Sequence, residues 1–329
     1  MNITSRNKLI PVLYLVVPCY NEAEGLMESA HVLETKIRRL MQDTLIAQTS
    51  RIVFVDDGSS DETPAIIHRL HEQSELFSGI SLSRNFGHQA AVLAGYLFAR
   101  GKCDAVISID ADLQQDVEAI DRFLERYMAG DEIVFGVRNA RDTDGCFKKM
   151  SAGLFYSLMK WGGCDTIRDH ADYRLLSAKA LNALAEYEET NLFLRGLVTD
   201  LGFQTSVVYF DVRERTAGTS KYTFKKMLRL AMDGITSFSV KPIHMMIWAG
   251  MLFVLIAIIN IGYTVAVWLS GNAVSGWATT VISIWLLGGL QLIGMGVIGE
   301  YVGKTYFESK KRPRFIVEHI EHKEPGERI

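Results

Sequence analysis

The chain has 329 residues, 48% of them apolar and 22% charged, and its 35 Lys+Arg against 38 Asp+Glu leave a net charge of −3. About two domains fit in that length. The apolar content excludes a mostly disordered chain, and the near-even charge balance excludes a protein that binds nucleic acid or another polyanion through bulk charge.

At the N-terminus, MNITSRNKLIP carries no apolar signal-peptide core, and its Asn2-Ile3-Thr4 sequon is expected to face the cytosol unglycosylated. Leu13–Val17, Ile52–Val55, Ala105–Ile109 and Ile133–Phe135 are β-rich runs that read as buried strands. Between them, Glu22–Met41, Thr63–Gln73, Gln89–Arg100 and Val117–Met128 read as helices. This alternation predicts an α/β domain over residues 1–221, its mainly parallel sheet covered by helices on both faces. Cys19, Cys103, Cys146 and Cys164 show neither CxxC nor zinc spacing and read as reduced packing residues.

Ligands of such sheets bind at the carboxyl ends of the strands. Three polar motifs fall there: Pro18-Cys19-Tyr20-Asn21-Glu22, Asp56-Asp57-Gly58-Ser59-Ser60-Asp61 and Asp110-Ala111-Asp112. GxGxxG does not follow the first strand and GxxxxGK[ST] is absent, so a standard dinucleotide fold and a P-loop both fit poorly. Acidic groups beside phosphates need a bridging cation. In an extended or turning segment, the carboxylates of Asp110 and Asp112 can both address one hard ion such as Mg2+ or Mn2+, which would neutralise a diphosphate. Asp61, just before Glu62-Thr63-Pro64, is expected to cap a helix.

From Tyr222 to Lys241, apolar residues recur at helical spacing beside basic ones, which suits either a helix in the headgroup layer or one packed on the soluble domain. No charged residue occurs from Pro242 to Gly299. Within residues 242–303, Ile247–Leu269 and Trp277–Ile298 are each long enough to cross a hydrocarbon core of about 30 Å, and the short Ser270–Gly276 link makes them a hairpin. Lys and Arg flank the pair on both outer sides and are missing from the link, so the N-terminal domain and both termini are expected in the cytoplasm. Residues 304–329 read as a basic tail, polar from about Glu318 onward.

The order VVPCYNEAEGL, VDDGSSDET, SRNFGHQAAVLAG and IDADLQQD resembles the family-2 glycosyltransferases, whose nucleotide-sugar domain has the GT-A fold. The likeness continues through Gly136-Val137-Arg138, Asp169–Leu175, Phe193–Leu197 and Arg213–Tyr222 into the C-terminal spans. It is closest to the branch that makes polyprenyl-phosphate sugars, including bactoprenol glucosyltransferases of the GtrB type and dolichyl-phosphate mannose synthase. That resemblance implies an inverting transfer of a hexose, glucose or N-acetylglucosamine, from a UDP-sugar to undecaprenyl phosphate. It further implies a bacterial inner-membrane enzyme, a homotetramer, and a separate flippase and downstream glycosyltransferase for cell-envelope glycan modification.

By resemblance, Pro18, Tyr20, Glu22 and Asp57 hold base and ribose, and Val55 adds backbone contacts. Asp110 and Asp112 are the metal and diphosphate pair, with Ala111 between them in the nucleotide-sugar site and Asp112 the direct ligand. Gln114 hydrogen-bonds the donor sugar or the acceptor phosphate. Arg138, Arg215 and Lys221 meet phosphates, with Arg213 the alternative to Arg215. Asp172 is preferred over Asp169 on the acceptor side; His170 contacts a donor substituent or is structural. A phosphate acceptor is already largely a dianion near neutral pH, so Asp172 is open to a positioning role, orienting Arg174, instead of a general base. Two rivals stand beside this reading. A processive polysaccharide synthase lacks support because there is no QxxRW and too few spans, and a silent membrane adaptor would not need Asp110, Asp112, Arg138 and Arg215.

Overall fold

The computed structural model describes residues 10–139, 170–189, 194–211, 241–270 and 276–323. The chain divides into two compact units, one of residues 1–152, 166–222 and 313–329, the other of residues 153–165 and 223–312.

Runs of β-branched and aromatic residues make the sheet of the first unit. The strands β1 (Leu13–Cys19), β2 (Arg51–Asp56) and β4 (Ala105–Ser108) are buried at every position, as expected where helices cover both faces. With β3 (Phe77–Leu82), β5 (Ile133–Arg138), β6 (His170–Ser177), β7 (Thr205–Phe210) and β8 (Val317–Glu321), they form one sheet in the order β7-β5-β6-β4-β1-β2-β3-β8. β3, β2, β1 and β4 are parallel to one another, and β5 is parallel to β7. β6 runs antiparallel to both β4 and β5, and β8 antiparallel to β3.

The helices α1 (Leu26–Gln42), α2 (Thr63–Gln73), α3 (His88–Ala99) and α4 (Ala119–Met128) fall where the periodicity places them, with α1 starting four residues later than Glu22. α5 (Ala178–Ala185) follows β6 directly, capped by Ser177, whose hydroxyl accepts the Ala180 N–H. α6 (Leu194–Asp200) precedes β7. Buried Lys36 joins α1 to α4, with its Nζ 2.6 Å from both Glu118 and Asp121 carboxylates.

The second unit contains α7 (Lys241–Leu269) and α8 (Trp277–Ser309). Ile247, Trp248, Leu252, Leu255, Ile258 and Ile259 of α7 are exposed. Among the described residues, one segment, Leu286–Ser309, is long and apolar enough to cross a membrane. The expected juxtamembrane helix over residues 222–241 lies outside the described residues, apart from Lys241 at the start of α7.

The residues after Glu318 are not only a polar tail. Val317–Glu321 pairs with β3 in the register Ile80↔Ile320 and Gly79↔Glu321. Gly79 makes room for this: a Cβ there would stand 2.7 Å from Ile67 Cγ2 and 3.0 Å from Glu321 Oε2. Glu321 Oε1 lies 2.7 Å from His68 Nδ1 and 3.6 Å from His319 Nε2. The His322 ring meets Phe98 edge-on at 5.1 Å. Edge strands gain from such cover, because an unpaired row of N–H and C=O groups invites other chains.

Gly79→Val should therefore lower stability by about 1–3 kcal/mol through overpacking, read from thermal unfolding. Hydrogen bonding and charge from Glu321, helped by Glu72, raise the His68 pKa above its ordinary 6.5. A group raised on folding stabilises fully below its unfolded pKa and loses that contribution as pH climbs through the folded value. The Tm penalty of His68→Ala should thus be larger near pH 6 than above about pH 8, measured across a buffer series.

Candidate active site

Strand direction brings the site together. Because β1, β2, β3, β4 and β5 all point the same way, Cys19, Asp56, Leu82, Ser108 and Arg138 end at one edge of the sheet. β6 runs the other way, so its beginning reaches the same edge. The pairing Ser108↔Arg174 puts Asp110, two residues beyond β4, level with Asp172.

On one side of this edge, the loops after β1 and β2 are tied together by polar side chains. Asn21, in the left-handed region at φ 53°, donates its N–H to Ser59 Oγ at 2.9 Å, and its Oδ1 accepts the Ser60 N–H at 2.9 Å. The N-cap position of α2 falls to Glu62, which makes no side-chain cap, while Asp61 just before it accepts the Thr63 N–H on Oδ1 and the Ala23 N–H of the first loop on Oδ2. Gly58 has φ +67°, and a Cβ there would lie 2.4 Å from the Arg84 carbonyl carbon, so both conformation and space require glycine. Asp57 accepts N–H bonds from Phe86 at 2.7 Å and Gly87 at 2.9 Å. Burial pushes the Asp57 carboxyl up, while those two donors and the nearby His88 and Arg84 pull it down.

The Asp110-Ala111-Asp112 segment forms a turn that is fixed residue by residue. Leu113 adopts a left-handed φ of 51°, rare for a non-glycine residue. The chain is thereby turned back so that Gln115, almost fully buried, reaches Asp110. Gln115 Nε2 donates to Asp110 Oδ2 at 2.6 Å, and Gln115 Oε1 accepts the Asp110 N–H at 3.1 Å. The Ala111 carbonyl accepts from Ser29 on α1, and Asp112 Oδ1 accepts the Gln114 N–H at 3.1 Å.

On the far side, Asp172 pairs with Arg174, which is completely buried and also donates to the Leu194 carbonyl at 3.3 Å. His88, the first residue of α3, lies between the two acidic groups: its Nε2 is 3.7 Å from Asp110 Oδ1 and 3.6 Å from Asp172 Oδ2. Burial lowers the His88 pKa, but the Asp172 hydrogen bond and the charges of Asp110 and Asp172 outweigh it, and the net direction is up.

Of the residues expected at the site, Asp57, Asp110, Asp112, Asp172 and Arg138 are brought to this edge. Arg138 is exposed and close enough to lower the Asp110 pKa. Tyr20 is 48% exposed and offers a ring face, and Glu22 is half-buried beside it. Pro18 and Val55 are register partners inside the sheet, and the Val55 side chain is wholly buried, so only its backbone is left for a ligand. Ala111 is buried in the turn, and Gln114 is half-buried. Asp169, Arg213, Arg215 and Lys221 lie outside the described residues, as does the side chain of His170. Gln115, which is not among the expected residues, also belongs to this edge through its contacts with Asp110. Sequence reasoning quoted His88 only within a motif, although a histidine opening the helix after Asn85-Phe86-Gly87 was the available signal.

The donor set suits a hard divalent cation. Burial first, and then the charges of Asp172 and Asp112, push the Asp110 carboxyl up, with His88 and Arg138 opposing. A cation placed against such a buried carboxyl would favour its ionised form. Among the described residues no three His, Cys, Asp or Glu side chains close on one point. Such a donor set fits an ion that takes one or two carboxylates and completes its shell with water and substrate phosphate.

A family model, Glycosyl transferase family 2, matches residues 14–184. The bactoprenol glucosyl transferase of Shigella phage SfV is 38% identical, covering 94% of this chain and 99% of its own length. The uncharacterized glycosyltransferase YkoT of Bacillus subtilis (strain 168) is 47% identical, over 94% of this chain and 91% of that protein. Among solved structures, the mannosyltransferase of Pyrobaculum calidifontis in complex with GDP-Man and Mn2+ is 15% identical with a TM-score of 0.45, covering 91% of this chain and 85% of that one.

Asp57→Ala strands two backbone donors in the loop before α3. It should cost about 1–3 kcal/mol in thermal unfolding and loosen that loop, seen as faster amide exchange at Phe86 and Gly87.

Proposed function

Because the chain belongs to the family-2 glycosyltransferases, we propose that it transfers one hexose from a nucleoside-diphosphate sugar to the phosphate of a polyprenyl carrier at a bacterial membrane. UDP-glucose and UDP-N-acetylglucosamine are the proposed donors and undecaprenyl phosphate the proposed acceptor. The observation that carries this reading is the gathering of Asp110, Asp112, Asp172 and Arg138 at one sheet edge, in a chain that also has the apolar helical segment Leu286–Ser309. Near end-to-end likeness to bactoprenol glucosyl transferases supports the carrier. The exposed apolar side chains of α7 support a second span beside α8, with the catalytic domain and both termini in the cytoplasm. Assembly as a homotetramer, and hand-over of the product to a separate flippase and a downstream glycosyltransferase, belong to the same proposal.

In the proposed reaction a phosphate oxygen of the carrier attacks the anomeric carbon as the bond to the nucleoside diphosphate breaks on the opposite face, so the configuration inverts. The attacking phosphate needs no deprotonation near neutral pH. Asp172 fits a positioning role, since one of its oxygens is committed to buried Arg174. Arg138, together with Arg215 and Lys221, would balance the charges of two phosphate groups brought close together. Asp110 and Asp112 would hold Mg2+ or Mn2+, which when bound supplies positive charge to the departing diphosphate. Tyr20, Glu22 and Asp57, with the main chain of Val55, would seat the nucleotide.

The test uses purified full-length protein, undecaprenyl phosphate, Mg2+ or Mn2+ and a panel of radiolabelled UDP-sugars. One donor should give an acid-labile lipid extractable into organic solvent, and Asp112→Ala should lower that rate by roughly 100-fold or more. A precipitable polymer in place of the lipid would reject the carrier and favour a polysaccharide synthase.

A further inference from the structure

We infer that Gln115 is a positioning residue that decides how Asp110 is presented to the site, committing one carboxylate oxygen to the protein and leaving the other toward the cleft. This rests on the reading of Asp110 as part of the cation and diphosphate site. The geometry is reciprocal: the Gln115 amide donates to Asp110 Oδ2 at 2.6 Å and accepts the Asp110 N–H at 3.1 Å. A side chain gripped at both its backbone and its carboxylate cannot rotate about χ1 or χ2 without breaking a bond. The remaining oxygen, Oδ1, is the one that lies toward His88 and Asp172.

Two further observations separate this role from ordinary core packing. Gln115 is only 1% exposed, so an amide here must have its polar atoms satisfied, and both are used on the same aspartate. It reaches that aspartate because Leu113 takes the costly left-handed conformation. Gln114, directly after the left-handed Leu113, uses its backbone on Asp112 instead. The two carboxylates are thus held by neighbouring residues in different ways: Asp112 by a local backbone turn, Asp110 by a buried side chain. With Oδ2 engaged, Asp110 is arranged to give a ligand a single oxygen, and chelation through both is disfavoured.

Outer partners of this kind commonly set metal affinity or activity by roughly 10–100-fold. The test titrates Mn2+ into the purified full-length protein and follows the free-ion paramagnetic resonance signal, with metal-free UDP binding and thermal unfolding measured alongside. Gln115→Met removes both hydrogen bonds at nearly constant length, and Gln115→Asn keeps the amide but is too short to make both. Each should weaken Mn2+ binding by about tenfold or more while UDP binding without metal stays within about twofold. Should Gln115→Met fail to fold, Gln115→Asn carries the comparison. Unchanged Mn2+ affinity in a folded variant, or equal losses of Mn2+ and metal-free UDP binding, would overturn the inference. If Asp110→Ala does not weaken Mn2+ binding either, the assignment of Asp110 to the cation fails, and the inference falls with it.

Discussion

The burial of several carboxylates side by side is the constraint around which this catalytic domain is built. Asp56, Asp57, Asp110, Asp112 and Asp172 come from three separate stretches of sequence, and the sheet delivers them all to one edge. Burial makes Asp56, Asp57 and Asp110 harder to ionise, and at Asp56 and Asp110 neighbouring carboxylates add to the difficulty. The protein answers with donors. Ser59 N–H serves Asp56, Phe86 and Gly87 N–H serve Asp57, and the amide of Gln115 serves Asp110. Gln114 N–H serves Asp112 and Arg174 serves Asp172. Four of these carboxylates depend on neutral donors, which orient an acidic group without cancelling its charge. The edge therefore remains able to attract a cation while its geometry is already determined.

Asp172 is the exception, and its partner explains why. Arg174 lies two residues further along β6, fully buried, and such a charge is tolerated only when paired and hydrogen-bonded. One oxygen of Asp172 and the Leu194 carbonyl serve its two terminal nitrogens, while its buried Nε finds no partner among the described residues. The pair thus ties the start of β6 to the start of α6, and the Leu194 N–H in turn donates to Gln89 on α3 at 3.0 Å. Removing Asp172 would leave a buried guanidinium behind, so a loss of activity on its substitution mixes local unfolding with chemistry.

Much of this was legible in the residues themselves. β1, β2, β4 and β5 are continuous apolar runs, and α1, α2 and α4 show a clear 3.6-residue period, whereas α3 is apolar nearly all round. β3 was harder, because Phe77-Ser78-Gly79-Ile80-Ser81-Leu82 carries a glycine and two serines, and its strand form depends on partners on both sides. β8 was hidden altogether. Val317-Glu318-His319-Ile320-Glu321 reads as polar tail because an edge strand needs few apolar side chains, and its pairing with β3 joins residues more than two hundred apart in the chain. At the site, the strand-end rule found the acidic clusters but has no way to nominate Asp172, which sits at a strand's beginning. That residue came from resemblance to a family. Gln114 too came from that resemblance, whereas the inward turn of Gln115 follows a left-handed Leu113, a conformation that no residue type announces.

β8 also changes what the C-terminus contributes. The Ile316 carbonyl accepts the Ser83 N–H at 3.0 Å, extending the contact to the last residue before Arg84-Asn85-Phe86-Gly87. That loop is held on its other side by Asp57, is crowded against Gly58, and ends in His88. The loop is therefore anchored at one end by a strand from the end of the chain and at the other by the second acidic motif. Because the chain passes through α7 and α8 before it returns as β8, the apolar helices are covalently framed between two parts of one sheet. A short loop fixed at both ends loses little further entropy when a ligand settles against it. The same pairing that protects the sheet edge thus helps to preorganise the site.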